Sequence, residues 1–314
     1  MLPPELAPSA GLLAELQLVR NPHGYYEAAQ KPTREELEKY YRDLYYQTEE
    51  GSYMLEYSPE EMAYIRGQVA LRHRLIAQRG WIGEGPKSLL DVGCGEGHSL
   101  AYFKSQGWSV EGLDFSVDGC RRQNPDCLPH LTQGDVFENL DRRIAEGRQY
   151  DVVMLDNVLE HVIDPPSLLA GLHRLVKPGG VLILEVPNDF SRLQMTAMQR
   201  DWIDKAFWVG LPEHLSYFNA EGLRSVCAAA GWHCLALLAD FPIDWFLANP
   251  NSSYVPRAAA GTGKGSQLGK GAHHARIALE NIMRETDMDK LNAFYEAMAG
   301  IGMGRSIAGF FRRD

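Results

Sequence analysis

From Lys87 onward, short apolar runs alternate with segments whose apolar residues recur every three or four positions. Ser88–Val92, Ser109–Asp114, His130–Gln133, Tyr150–Leu155 and Val181–Val186 read as strands. The clearest helix between them opens at Asp164-Pro165-Pro166, a cap residue followed by proline at the first helical position. Leu168, Leu169, Leu172, Leu175 and Val176 then share one face, and Pro178-Gly179-Gly180 is expected to stop the helix. Strand and helix alternating in this way predict a parallel sheet covered on both sides.

The flanks follow other rhythms. Up to about Gly85 the chain reads as helical and tyrosine-rich, with Thr33 capping one helix and Pro59 to about Gln78 forming another. Tyr40, Tyr41, Tyr45 and Tyr46 cluster between the two. Beyond the alternating region, Asn219 caps a helix through Ala230, and Trp232–Ala239 reads as a strand. Residues 241–304 are expected to be largely helical, broken by a glycine-rich loop from Gly261 to Gly271, before a final strand over Ser306–Phe311. Gly261-Thr262-Gly263-Lys264-Gly265-Ser266 lacks the spacing of a phosphate-binding loop and has no strand before it, so it reads as a hinge.

A formal charge of −10 argues against a nucleic-acid partner and favours a small-molecule one. No apolar run is long enough for a membrane span, and no secretory signal stands at the start. Five scattered cysteines without a C-x-x-C pair suggest neither disulfides nor a zinc knuckle, so a cytoplasmic protein is expected.

The candidate chemistry begins at Leu89-Leu90-Asp91-Val92-Gly93-Cys94-Gly95-Glu96-Gly97, where a strand runs through three glycines into a helix. Glycine permits the sharp turn and close ligand approach, and the helix N-terminus supplies unpaired N–H groups. The next strand ends in Asp114, where a carboxylate can accept bonds from both hydroxyls of a ribose. Gly134-Asp135-Val136, Asp156-Asn157-Val158-Leu159-Glu160-His161 and Lys177-Pro178-Gly179-Gly180 follow in order.

With these motifs, the segment from about Lys87 to Ala239 resembles class I S-adenosylmethionine-dependent methyltransferases, especially the ubiquinone-biosynthesis O-methyltransferase-like subgroup. The resemblance implies an α/β fold, a Rossmann-like three-layer αβα sandwich with a mostly parallel seven-stranded sheet. A helical N-terminal arm or lid (1–84) would precede the cofactor-binding core (85–240). A helical insertion (241–304) would cover the substrate, and residues 305–314 would give the last strand.

It further implies that Gly93, Gly95 and Gly97 pass under the methionine and ribose part of S-adenosyl-L-methionine. Asp91 would lie near the cofactor amino group, Asp114 would hold the ribose, and Asp135 would meet the adenine amino group. Phe115, Val136 and Asn157 join the cofactor lining, as does Cys94, whose thiol reads as a packing group. The activity implied is a methyl transfer, with a sugar-derived hydroxyl as first substrate and a phenol or other metabolite next.

His161 and His214 are the candidate bases, since a histidine near neutrality suits an alcohol or phenol. Some relatives hold a divalent ion with Glu-x-x-Glu-His and a later histidine. Here Asn157 stands in place of the first acid, with Asp156 beside it, and no bound metal is expected. Phe241-Pro242-Ile243-Asp244-Trp245-Phe246 could wall a pocket or simply pack between helices. Two other readings stay open. An NAD-dependent dehydrogenase would need G-x-G-x-x-G, whereas His98 stands where its third glycine belongs. A non-catalytic cofactor-binding interaction module would share the motifs without the chemistry. A small-molecule substrate, no nucleic acid, no membrane and a homodimer complete the expected partners.

Overall fold

The computed structural model describes residues 3–40, 56–255 and 264–313. Tyr41, Tyr45, Tyr46 and the start of the glycine-rich stretch at 261–263 lie outside these residues. The first elements are α1 (Ala10–Glu15), β1 (Leu18–Arg20), β2 (Tyr26–Ala28), α2 (Arg34–Tyr40) and α3 (Pro59–Arg79). Thr33 caps α2 reciprocally with Glu36, Ser58 and Glu61 form a capping box on α3, and Gly80 ends α3 in the left-handed region.

Then follow β3 (Ser88–Val92), α4 (His98–Ser105), β4 (Ser109–Asp114), α5 (Asp118–Gln123), β5 (Leu131–Gln133), α6 (Val136–Ala145), β6 (Tyr150–Asp156), α7 (Pro165–Leu172) and β7 (Val176–Pro187). The chain closes with α8 (Arg192–Gln199), β8 (Ser216–Tyr217), α9 (Ala220–Ala229), β9 (Trp232–Ala239), α10 (Lys264–Thr286), α11 (Met288–Gly300) and β10 (Ser306–Arg313).

Seven strands form one sheet in the order β5-β4-β3-β6-β7-β10-β9, with β10 antiparallel to both neighbours and the remaining pairs parallel. This is the expected Rossmann-like sandwich. Strand residues alternate between two cores: Leu90, Val92, Val153 and Leu155 face one, and Leu89, Val152, Met154 and Ile183 the other. Chain order reverses between β3 and β6, so a crevice opens where their carboxyl ends diverge, the usual ligand position in such sheets.

Three local expectations change. The helix from Pro165 ends at Leu172 rather than running to Val176, and Pro178-Gly179-Gly180 lies inside β7 instead of terminating a helix. Val176 pairs with Tyr150 at the start of β7, and the register shifts before Val152 meets Val181, which accommodates the proline and glycines. Within the stretch read as a loop to Gly271, residues from Lys264 onward are helix α10. The N-terminal region is not only helical: β1, β2 and β8 form a small separate sheet, with Tyr26 opposite Tyr217.

Candidate functional site

The turn after β3 has the backbone its glycines predict. Gly93, Gly95 and Gly97 all have positive φ (75°, 50° and 74°), a region other residues enter only with strain. A Cβ on Gly93 would stand 2.5 Å from Val158, so the turn also packs too closely for a side chain. Asp114 holds this loop, its Oδ2 accepting from Gly95 N at 2.7 Å and its Oδ1 from Ser116 N at 2.9 Å. Beside it lies a cavity of about 490 Å³, within the range of small-molecule sites.

Six of the residues expected at the cofactor line that cavity: Gly93, Asp114, Phe115, Asp135, Val136 and Asn157. Gly95, Gly97 and Cys94 lie behind it in the loop. Cys94 is buried, and burial pushes its thiol well above the usual range, consistent with packing and no thiolate chemistry. Asp91 is buried on the α3 face of the sheet and does not line the cavity. Its carboxyl is raised by burial and by the neighbouring Asp156 and Asp114, against the pull of Arg72.

Asp135 caps α6 by accepting from Glu138 N at 2.8 Å, and pairs with Arg34 of α2 at 2.8 Å. Arg34 and Leu37 thus bring the N-terminal arm to the cavity wall, a contribution with no motif to announce it. Asn157 sits just beyond β6 with φ 51°, a conformation asparagine tolerates better than most residues.

Beyond Asn157, the turn Leu159–His161 and the loop before β8 are laced together. Leu215 N donates to Glu160 O at 2.8 Å, and His161 Nδ1 meets Glu213 O at the same distance. Because a carbonyl only accepts, that contact places the proton on Nδ1 and leaves the lone pair on Nε2. His161 lines the cavity and its ring packs edge-on against His214, with centroids 4.7 Å apart. His214 does not line the cavity. Burial lowers the pKa of both imidazoles. His214, also repelled by His161 and Arg305, falls to about 3.

Glu160 is 1% exposed, and neither of its carboxylate oxygens has a hydrogen-bond partner among the described residues. Burial first, then nearby acids including Asp189, raise its carboxyl well above the usual range. His214 Nδ1 is likewise buried without a partner. Ligand atoms of Glu160, His161 and His214 all lie within 4.8 Å of one another, and His161 Nε2 points toward Glu160 Oε1 at 3.9 Å. An imidazole lone pair facing an unpartnered carboxylate is repulsive unless a cation or proton stands between them. The donor set of one carboxylate and two neutral imidazoles therefore fits a divalent ion. The absence of an acid at Asn157 led to the expectation of no metal; the geometry gathers three donors without it.

A second polar group has no motif in the sequence. Arg72 of α3 is buried and forms ion pairs with Asp156 and Glu185 at the ends of β6 and β7. Its signal was an arginine on an apolar face, three residues after Val69 and three before Leu75. Phe241, Ile243 and Phe246 pack in a small cluster with Ala272 and Met283, Trp245 is half exposed, and none of the segment lines the cavity.

Residues 55–237 match the family model described as a methyltransferase domain. The ubiquinone biosynthesis O-methyltransferase of Klebsiella pneumoniae subsp. pneumoniae is 35% identical over 142 residues, covering 43% of this chain and 59% of that protein. The Escherichia coli K12 protein of the same name is 34% identical over 132 residues, covering 40% and 55%. The chain thus spans little more than half the length of these curated relatives. A SAM-dependent methyltransferase from Archaeoglobus fulgidus aligns with a TM-score of 0.47 at 17% identity, over 79% of this chain and 96% of its own. With the family model covering more than half of its length, the chain belongs to the class I S-adenosylmethionine-dependent methyltransferases.

Proposed function

We propose that this protein transfers the methyl group of S-adenosylmethionine to a hydroxyl oxygen of a small molecule. The observation that carries this reading is the Glu160–His161–His214 group beside the 490 Å³ cavity, with His161 in its wall. In the transfer, the acceptor oxygen forms a bond to the methyl carbon while the carbon–sulfur bond breaks. The electron pair returns to sulfur, and the acceptor proton must leave. The sulfonium supplies the activation, so the protein's task is alignment and proton removal.

Gly93, Gly95, Gly97 and Cys94 form the loop under the cofactor in this reading. Asp114 takes the ribose, Asp135, Phe115 and Val136 the adenine end, and Asn157 the methionine end; Asp91, which does not line the cavity, falls outside this set. The N-terminal arm reaches this cavity through Arg34 and Leu37, whereas the insertion expected to cover the substrate packs with α3 on the other face of the sheet and no described residue of 241–304 lines the cavity. A divalent ion held by Glu160, His161 and His214 would lower the pKa of an acceptor hydroxyl and orient it. Burial keeps both imidazoles neutral at physiological pH, as ligation requires. A pKa of about 3 makes His214 a poor general base, so His161 Nε2 is the better proton acceptor when no ion is present.

The names of the relatives support oxygen as the acceptor atom. A sugar-derived hydroxyl comes first as substrate and a phenol second. Labelled S-adenosylmethionine, offered with sugar nucleotides, catechols and amines, tests the reading. Label transferred to a hydroxyl compound, lost with a chelator and regained with a divalent ion, is the expected result. Transfer to amines alone would overturn it.

A further inference from the structure

Away from the histidines, strand-end acids gather on the α3 face of the sheet. Asp156 ends β6, Glu185 lies near the end of β7, and Asp240 follows β9. Alternation along each strand turns them to the same side as Met154, Ile183 and Leu238. Over them close α3 and the two helices of the insertion, α10 and α11. These contribute Glu280, which is fully buried and takes hydrogen bonds from Gln68 (2.5 Å) and from the Tyr295 hydroxyl (2.9 Å).

The facing cations are Arg72, paired with Asp156 and Glu185, and Arg276, which acts on Glu185, Asp240 and Glu280. Asp91 of β3 stands beside Asp156 and Arg72, and Tyr64 and Tyr295 are further titratable groups around them. Five carboxylates therefore stand against two guanidiniums, in a region where an unbalanced charge is costly.

Between these helices and the sheet lies a cavity of about 20 Å³, lined by Gln68, Arg72, Glu185, Asp240, Asn292 and Tyr295 among others. That volume holds one water-sized particle. Asn292 is 1% exposed. Its Nδ2 donates to Leu71 O at 3.0 Å, while its Oδ1 has no partner among the described residues. An oxygen of Glu280 and one of Asp156 are also buried without partners. Of these three oxygens only that of Asn292 belongs to a residue lining the cavity. Arg276 Nε, a donor, is also buried without a partner among the described residues, and the surplus charge is negative.

We propose that this cavity is a binding site for a single small monovalent cation, Na⁺ or K⁺, which fastens the α10–α11 insertion to the carboxyl edge of the sheet. The ligands are hard oxygens, as such ions prefer. The room is too small for Mg²⁺ with the waters it keeps, and the Arg72 guanidinium in the wall disfavours a second positive charge. Burial raises the carboxyls of Glu185 and Asp240 to about 7, so protons compete for the same compensating role below neutrality. The inference is independent of the methyl acceptor and of the histidine-lined site.

The test is thermal unfolding of the full chain at pH 8, with EDTA present throughout to keep divalent ions off the histidines. The chloride salt is varied among Na⁺, K⁺, tetramethylammonium and choline at constant ionic strength. We expect the melting temperature to rise by a few degrees, saturably, with Na⁺ or K⁺ over choline, and the rise to shrink at pH 6. Asn292→Leu should remove the increment. Equal melting temperatures in all four salts, as a trapped water alone would give, overturn the proposal. So does an increment that persists undiminished in Asn292→Leu. If that variant does not fold, the wild-type series still decides, because ionic-strength screening neither saturates nor separates K⁺ from tetramethylammonium.

Discussion

At the glycine loop, Asp114 accepts from backbone N–H groups with both carboxylate oxygens, and left-handed glycines shape the loop it holds. At the histidine pair, Glu160 buries a carboxylate with neither oxygen partnered among the described residues, next to a His214 nitrogen in the same condition. One half is satisfied by the chain itself. The other is built with unmet valences, and buried polar groups in that state require a proton, an ion or a ligand. The contrast locates where the molecule is finished by folding and where it is finished by what it binds.

The sharpest way to break the comparison is to remove a member of the Glu160–His161–His214 group. His161→Ala should lower turnover by about 10²–10⁴-fold while leaving cofactor affinity nearly unchanged. Single-turnover rates on one accepted substrate, beside calorimetric titration with S-adenosylmethionine, check both halves of the statement. A variant within a few-fold of wild type in rate would mean that the pair does not touch the chemistry.

The complementary change removes a satisfied group. Asp114→Ala deletes two loop bonds to a charged acceptor, each contributing about 1.5–3 kcal/mol, as well as the proposed ribose contact. Cofactor binding should weaken by about 10²–10³-fold with the fold retained. If the dissociation constant moves less than threefold, the loop does not depend on this carboxylate.

Between the two regions stands Arg72. Replacing it with methionine strands Asp156 and Glu185 in a buried setting, and losing one partner of such a group costs about 3–5 kcal/mol. Urea unfolding measures this, and a loss below about 1 kcal/mol would show the pairs to be largely solvated.

The same acids set a pH dependence. Burial, reinforced by Asp156 and opposed by Arg72, raises Glu185 to about 7, above its ordinary 4.5. A raised folded-state pKa gives stability that is complete below 4.5 and lost as pH climbs through 7. In choline chloride with EDTA, wild-type stability should therefore fall between pH 5 and 8, and Glu185→Gln should flatten that fall. Parallel profiles for the two proteins would assign the dependence elsewhere.

Much of the satisfied half could be read in the sequence, because its signals are local. Three glycines need three positive φ values, and Asp164, Asn219 and Thr33 cap the helices they precede. The unmet half depends on contacts between distant segments. Glu160 and His214 lie far apart in the chain and meet through the Leu215–Glu160 backbone bond, which no periodicity foretells. Local signals also misled where tertiary pairing outweighed them. Pro178-Gly179-Gly180 has the composition of a stop, but the sheet takes it into the edge of β7. Gly269 and Gly271 weaken a helix by about 1 kcal/mol each relative to alanine, yet they lie within α10. Strands of three residues, as in β1 and β2, are too short to stand out from turns.

The smallest expected effect tests whether the N-terminal arm belongs to the satisfied half. Arg34 reaches Asp135 at 2.8 Å from a half-exposed position and shares the cavity wall with Leu37. Exposed ion pairs contribute about 0.2–1 kcal/mol, and salt screens them. Arg34→Ala should thus weaken S-adenosylmethionine binding by no more than about fivefold at low ionic strength, and the difference should vanish by about 0.5 M salt. Leu37→Ala removes apolar wall instead, so its effect should be independent of salt. Titrating both variants at two ionic strengths separates a charge contact from a packing one. If neither variant changes cofactor affinity at low salt, the arm merely lies against the pocket, and the wall is completed by the core alone.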